Sequence, residues 1–361
     1  MSRIKVLRII YDLQIGGVQR MLLQSLPLLR DAGVDTSICC LKKQGDMAKQ
    51  FVEKGFPVSL VRFGSRLDPF GLIRLRKLIL NNSFTLVHSH MYASNIAANV
   101  ALFMARRIRL INSYHSVKPF HTESQKRMAV FTKGIPDRFI AVSEAVRKPL
   151  LEANLPPEKI TIIHNGVYCP ETYSPIPKRA PGSPLELVWA GRFVGQKRVF
   201  MLLDIAELCL KKKIPIHLTL VGDGPQYKMA QRKVKATGLE NTITFAGWKS
   251  DILPFIQKAD LYISASNREG FPNTLLEVCA QGRGFVVADI PPNREVLDSL
   301  EAGYVVGDNL KEWADILFRI HKNPGMLRNF SKEAFKIAQM FSIERTCRKT
   351  LDLYDKIISK M

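Results

Sequence analysis

A chain of 361 residues, 46% of them hydrophobic and 24% charged, is longer than one core fills and predicts two globular units of about 170–180 residues. Its 53 Lys and Arg against 32 Asp and Glu leave a formal net charge of +21, most of it in residues 1–168, where 25 basic side chains face 11 acidic ones. Six cysteines without a CxxC pair exclude a disulfide framework and a thiolate metal centre, and no apolar run approaches the about 18 residues of a spanning helix, so a cytosolic, soluble or peripheral protein is expected.

Strand-like runs are predicted at 4–11, 35–41, 57–61, 86–89, 109–113, 138–142 and 160–164, with helix-like segments between them, which is the pattern of a parallel sheet. The first run interleaves Arg3, Lys5 and Arg8 with Ile4, Val6, Leu7, Ile9 and Ile10 and reads as a strand, not as the charged start of a signal peptide. Gly16-Gly17 follow it directly and precede a helix over 18–29. Two later segments carry apolar residues at helical spacing together with cations: 69–80, with Asp68 at its N-cap, and 121–133, with Met128, Val130 and Phe131. With the clusters Arg62/Arg66, Arg74/Arg76/Lys77, Arg106/Arg107/Arg109 and Lys126/Arg127/Lys133 they suit an anionic membrane surface, or solvated faces of helices packed on a sheet. No interleaved aromatics or nucleic-acid motif accompany them, so nucleic acid is not an expected partner.

Residues 168–184 hold Pro170, Pro175, Pro177, Pro181 and Pro184, a composition that suits a linker. Beyond it the alternation restarts, with strands at 185–190, 216–221, 243–246, 261–264 and 285–288 and helices at 197–212, 225–237, 251–258 and 274–281. A last helical segment is predicted at about 341–360. The domain organisation is therefore a first unit at 1–168, a linker at 169–184, a second unit at 185–340 and a terminal segment at 341–361.

Glu269 and Glu277 stand eight positions apart around the turn Gly270-Phe271-Pro272-Asn273. Gly270 and Pro272 break the chain after a short apolar strand, and Asn273-Thr274 are placed to cap the helix that follows. Glu269 then lies in the loop at a strand's carboxyl end and Glu277 one turn into the helix, so both can face one crevice. Backbone N–H groups near Phe271 and Leu275 open onto it, suited to a phosphate or a sugar hydroxyl, and carboxylates accept well from vicinal hydroxyls. A lone pair of glutamates at this spacing is usually a solvated loop before an ordinary helix; the weight is carried by the whole nine-residue string. Arg192 and Lys197 fall in the loop after strand 185–190, where two cations can clamp a diphosphate and offset charge on a departing nucleoside diphosphate. His115 follows strand 109–113, with His88, His90 and His121 near it in sequence and His90 the second candidate; an imidazole there can donate to a phosphate oxygen at neutral pH.

The string Glu-Gly-Phe-Pro-Asn-Thr-Leu-Leu-Glu is similar to the E-x7-E signature of retaining GT-B glycosyltransferases and looks most like family 4. Gly191-Arg192 with Lys197 resembles that family's phosphate-binding loop, Gly222-Asp223-Gly224-Pro225 its turn near the nucleotide, and Phe245-Ala246-Gly247-Trp248 the segment whose backbone reads the base. Gly16-Gly17 match the glycine pair that faces donor phosphates and acceptor, with Gln19 where many relatives carry Glu, a change expected to touch acceptor contacts more than chemistry. His115 matches the family's cleft histidine, which contacts the transferred sugar and the donor phosphate. One departure is Gly282-Arg283-Gly284-Phe285-Val286-Val287 in place of Gly-x-Pro-Val-Val, which predicts a looser approach to the strand, while Arg294-Glu295 keep the acidic position of the next loop.

The resemblance implies an α/β GT-B architecture: two Rossmann-like, doubly wound domains facing across a cleft, with a terminal helix crossing back to the first. It assigns catalysis to His115, Glu269, Arg192 and Lys197, and donor binding to Gly16, Gly17, Arg192, Lys197, Gly222, Gly247, Gly270, Phe271, Pro272, Asn273, Thr274 and Glu277. It further implies transfer of a hexose or N-acetylhexosamine from a nucleoside-diphosphate sugar, UDP-sugar preferred, to a lipid-linked or lipopolysaccharide/polysaccharide acceptor at the cytoplasmic face of the membrane. The chain has no Asp-x-Asp triplet, so neither metal nor cofactor is expected. Retention is pictured as front-face attack, the leaving phosphate taking the acceptor proton while domain closure excludes water. A dinucleotide oxidoreductase lacks its glycine fingerprint here. A sugar-nucleotide epimerase of related fold needs no lipid acceptor, and a non-catalytic basic membrane-binding protein with a degenerate fold is told apart by donor hydrolysis.

Overall fold

The computed structural model describes all residues except 1–3, 65–67, 104–107, 174, 181, 298–299 and 360–361. Arg3, Arg66, Arg106, Arg107, Pro181 and Lys360, all used above, lie outside the described residues. The chain divides into two compact units, one made of Met1–Gly166 with Ile343–Met361 and the other of Val167–Ser342.

In the first unit, β1 (Ile4–Asp12), β2 (Val34–Lys43), β3 (Val58–Leu60), β4 (Leu86–His90), β5 (Arg109–Tyr114), β6 (Arg138–Ala141) and β7 (Ile160–Ile162) form, among the described residues, one sheet in the order β3-β2-β1-β4-β5-β6-β7. Every pairing is parallel. In the second, β8 (Leu185–Ala190), β9 (Ile216–Val221), β10 (Ile243–Gly247), β11 (Leu261–Ser264), β12 (Gly284–Ala288) and β13 (Gly303–Val306) are likewise parallel, ordered β10-β9-β8-β11-β12-β13. The central strands are buried at every position of β4, β11 and β12, as a sheet covered by helices on both faces requires. Each sheet reverses its winding once, between β1 and β4 and between β8 and β11, and the carboxyl ends of those strands are where such sheets leave a crevice for ligands.

The terminal helix, Ile343–Ile358, belongs to the first unit. Ile343, Cys347, Leu353, Tyr354 and Ile357 enter the same core as Val6, Ile10 and Leu26. Thr346 donates to the His164 carbonyl at 3.0 Å.

Several expectations need correction. Arg294 and Glu295, expected in a loop, lie on the helix Pro291–Leu297, and the structure adds β13 and the helices Leu310–Lys322 and Gly325–Met340, to which no element was assigned. The helix expected over 121–133 is Glu123–Phe131, because the Thr122 hydroxyl caps it by accepting from Gln125 N–H. Asn273 is the first residue of its helix, not its cap; Pro272 holds the cap position and no side chain caps that end. Asp68 occupies the N-cap of Pro69–Asn81 as expected, and its carboxylate also accepts from Gly64 N–H at 3.0 Å. Two cations of that helix serve the fold: Arg74 donates to the Arg62 carbonyl at 2.6 Å and Arg76 to the Ala101 carbonyl at 2.8 Å.

The approach to β12 is not loose. Arg283 is 1% exposed, and its guanidinium donates to the carbonyls of Ala259 (2.9 Å), Gln281 (2.9 Å), Gln257 (2.7 Å) and Pro175 (3.0 Å). A planar five-donor fork ties three chain segments, at 175, 257–259 and its own 281–283, as a proline could not. Through Pro175, and through Arg179, which donates to the Lys258 carbonyl at 2.6 Å, the proline-rich stretch is fastened to the second unit.

Candidate active site

In the second unit the loops after β8 and β11 meet because those strands are neighbours. Lys197, at the end of the short 3-10 turn Gly195–Lys197, places Nζ 2.6 Å from Glu269 Oε1. The loops are stitched further by Asn267 N–H on the Gln196 carbonyl (3.0 Å) and by Arg268 on the Gln196 side chain (3.3 Å). Arg192 stands next to Phe193, whose ring is fully buried edge-on against Trp189 at 5.0 Å. The Arg192 side chain itself is exposed and pairs with no side chain among the described residues. The arrangement therefore holds one cation in a carboxylate pair and leaves a second open on an anchored loop.

Glu277 lies half-buried on the helix Asn273–Ala280. The buried Tyr262 phenol on β11 is pushed up first by burial, and the charges of Glu269 and Glu277 both add to the rise. Phe271, 6% exposed, packs its ring 5.5 Å from Phe341 and fixes the turn between them. Pro272 is buried, and Gly270, Asn273 and Thr274 are partly exposed along the same turn.

Gly222 has a sufficient reason in packing, and Gly247 in a backbone φ of +69. Gly222 has φ +140, and a Cβ there would lie 1.9 Å from the Gly191 carbonyl oxygen. Its N–H donates to the Gly247 carbonyl at 2.8 Å, so three loops close on one another only through glycine. Trp248, beside Gly247, is 52% exposed.

In the first unit, Gly16 is the extended N-cap of the helix Gly17–Asp31, after β1. Gln19 turns back and donates to the Asp12 carbonyl at 3.1 Å, a bond that a carboxylate in its place could not make. Four polar groups that sequence alone does not connect gather on one face of this sheet. Arg8 and His88 are in register on β1 and β4. Arg8 Nη1 lies 3.1 Å from His90 Nε2, and His90 Nδ1 lies 3.1 Å from His115 Nε2. His88 bridges Tyr354 (2.6 Å) and Ser113 (2.7 Å) and stacks on His90 at 4.4 Å. Burial, then the charge of Arg8, brings His115 down to about 4; burial likewise holds His88 and His90 well below the usual imidazole range. All three rings are neutral at pH 7. His90 has both nitrogens engaged, whereas His115 Nδ1 has no partner among the described residues, which favours His115 as the ligand-facing ring. His121 is exposed and outside this group. Arg8 was not singled out from sequence, although its even spacing from Val6 and Ile10 places it on their inward face.

Comparison with known proteins agrees with this fold. Residues 15–169 match the family model "Glycosyltransferase Family 4" and residues 175–337 match "Glycosyl transferases group 1". The chain is 26% identical, over 99% of its length and 99% of the other's, to the Escherichia coli UDP-Gal:alpha-D-GlcNAc-diphosphoundecaprenol alpha-1,3-galactosyltransferase. It is 22% identical, over 97% and 98%, to the capsular polysaccharide biosynthesis glycosyltransferase CapH of Staphylococcus aureus. It shares its fold with Anabaena HepE, solved in complex with UDP and glucose (TM-score 0.83, 20% identity, 98% of this chain and 99% of that one). The lipopolysaccharide outer core galactosyltransferase WaaB, in its apo form, is another such structure (TM-score 0.77, 18% identity, 99% and 100%).

Proposed function

The chain belongs to the family 4, group 1 glycosyltransferases, with the two parallel-sheet units of the GT-B fold, and from that premise we propose that it moves a hexose or N-acetylhexosamine from a UDP-sugar to a lipid-linked or polysaccharide acceptor. The observation that carries this reading is the Lys197–Glu269 pair at 2.6 Å beside the open Arg192, at the winding reversal of the second sheet. A diphosphate entering there meets Arg192 directly and draws on Lys197, while Glu277 accepts from the ribose diol and Glu269 from hydroxyls of the sugar. The family membership supports retention. The acceptor hydroxyl then attacks the anomeric carbon on the face the diphosphate leaves, and its proton passes to the leaving phosphate oxygen. Arg192 and Lys197 stabilise that leaving charge, and a metal ion is not required.

The names of the relatives support the acceptor class: the Escherichia coli relative is described as acting on GlcNAc-diphosphoundecaprenol and the Staphylococcus relative as acting in capsular polysaccharide biosynthesis. Docking of the first unit on an anionic leaflet at the cytoplasmic face is supported by exposed Phe70 and Ile73 on Pro69–Asn81 and by Phe131, 83% exposed, near Lys126 and Arg127. No described helix is long and apolar enough to cross a membrane.

The test is thermal stabilisation by UDP, GDP, ADP and their sugar conjugates, with and without EDTA, on the native chain and on Glu277→Ala. Stabilisation by uridine ligands that survives EDTA and disappears in the variant is expected. No response to any of them would sink the donor-site assignment.

A further inference from the structure

We infer that Arg8 and His90 are positioning residues that fix His115 as a neutral imidazole carrying its proton on Nδ1; this rests on the proposed glycosyltransferase function, for which the family resemblance gives His115 a part in catalysis. A guanidinium donates and never accepts, so Arg8 Nη1 at 3.1 Å requires a lone pair on His90 Nε2. A neutral ring with its lone pair on Nε2 has its proton on Nδ1, and that nitrogen lies 3.1 Å from His115 Nε2. His115 Nε2 must then accept, which leaves the His115 proton on Nδ1, the nitrogen without a partner among the described residues.

Protonating either ring would break this sequence of donors and set a second cation beside Arg8, which is only 3% exposed. Nothing nearby would compensate. Among the described residues, the titratable groups around the cluster are Arg8 from β1, His88 and His90 from β4, and Cys347 and Tyr354 from the terminal helix, with the exposed Glu344 acting on Cys347 from outside, and no carboxylate lines the cavity that Arg8, His90 and His115 share. Where a carboxylate orients a histidine, it favours the charged ring and makes a base. A guanidinium at the head of the relay does the reverse. It makes His115 a hydrogen-bond donor that stays uncharged across the physiological range, suited to an oxyanion that must be held without taking up its proton.

The experiment is long-range 1H–15N correlation on the full chain with 15N-labelled histidine between pH 8 and pH 5.5, with His115→Gln used to assign the resonance. Expected is a His115 ring protonated at Nδ1, opposite to the preference of free imidazole for Nε2, and unchanged over that range. In Arg8→Met the ring should move toward the Nε2 form and begin to titrate, its midpoint up by about one unit, with kcat falling more than KM for the donor rises. A His115 protonated at Nε2 in the native chain, or titrating near the ordinary value, overturns the inference, even where Arg8→Met fails to fold. The spectrum needs no substrate. An intact Nδ1 tautomer in a protein that neither binds nor transfers a sugar nucleotide would sink the functional reading and leave the relay standing.

Discussion

Lys197 Nζ lies 2.6 Å from Glu269 Oε1, across two loops whose strands are neighbours although the residues are 72 positions apart. With side chains only 20% and 16% exposed, the ammonium is held straight but is still reachable by a phosphate. Glu269 thus does two things at once: it stores the lysine in position and competes with the incoming anion for it.

Removing the cation should therefore cost chemistry more than stability. Lys197→Ala is expected to lower the transfer rate by about 10²–10³ while shifting unfolding by no more than about 1 kcal/mol. Rates with a soluble acceptor analogue and urea titrations of the same preparation check this. A rate within a few-fold of native would remove Lys197 from the leaving-group site.

Arg283 makes the opposite prediction. Arg283→Met strands the carbonyls of Ala259, Gln257 and Pro175 in the interior and should destabilise the second unit by about 3 kcal/mol. Donor affinity of the fraction that remains folded should be unchanged. A midpoint equal to native would show that the junction around Arg283 is dispensable.

The three buried histidines set a sign for acid sensitivity. His115 is held down to about 4, below its unfolded value of about 6.5, so the unfolded chain binds more protons in that interval. Stability is complete above about pH 6.5 and falls as the pH drops toward 4, with His115 alone contributing up to about 3 kcal/mol and His88 and His90 adding in the same direction. Urea unfolding at pH 7.5, 6 and 5 should show a falling free energy. A flat profile would place these rings in contact with solvent.

Leaflet docking can be tested apart from catalysis. Phe131 is 83% exposed, and burying one such ring in an interface is worth about 1.5–3 kcal/mol. Phe131→Ser should weaken sedimentation with anionic vesicles by about tenfold or more and leave UDP stabilisation intact. Equal binding by the variant would move the contact away from the helix Glu123–Phe131.

The parts of this molecule legible in its sequence are those governed by local rules. The strand at Leu261–Ser264 stands where its apolar run ends, and the helix Asn273–Ala280 carries Glu277 just after the Gly-Phe-Pro-Asn turn. Boundaries that depend on a single hydrogen bond, such as the Thr122 cap, were displaced by two residues. What stayed hidden depends on tertiary neighbours. Nothing local says that Lys197 faces Glu269, and Arg283 read as a flaw in a motif until four carbonyls were found around it. Arg8 was passed over for a related cause. It read as one of the cations interleaved with the apolar residues of the first strand, and only the position of β1 inside its sheet buries it.

The return of Ile343–Ile358 to the first unit has a consequence for how the protein is made. Tyr354, fully buried against His88, is translated only after every residue of the second unit. On the ribosome the first sheet must wait with one flank uncovered while the second unit emerges and folds, so the half made first is the half finished last. During that wait Arg8, His88 and the apolar side chains beside them are open to chaperones and to other nascent chains, and slow synthesis of the last twenty or so codons should be felt as aggregation of the first unit rather than of the second.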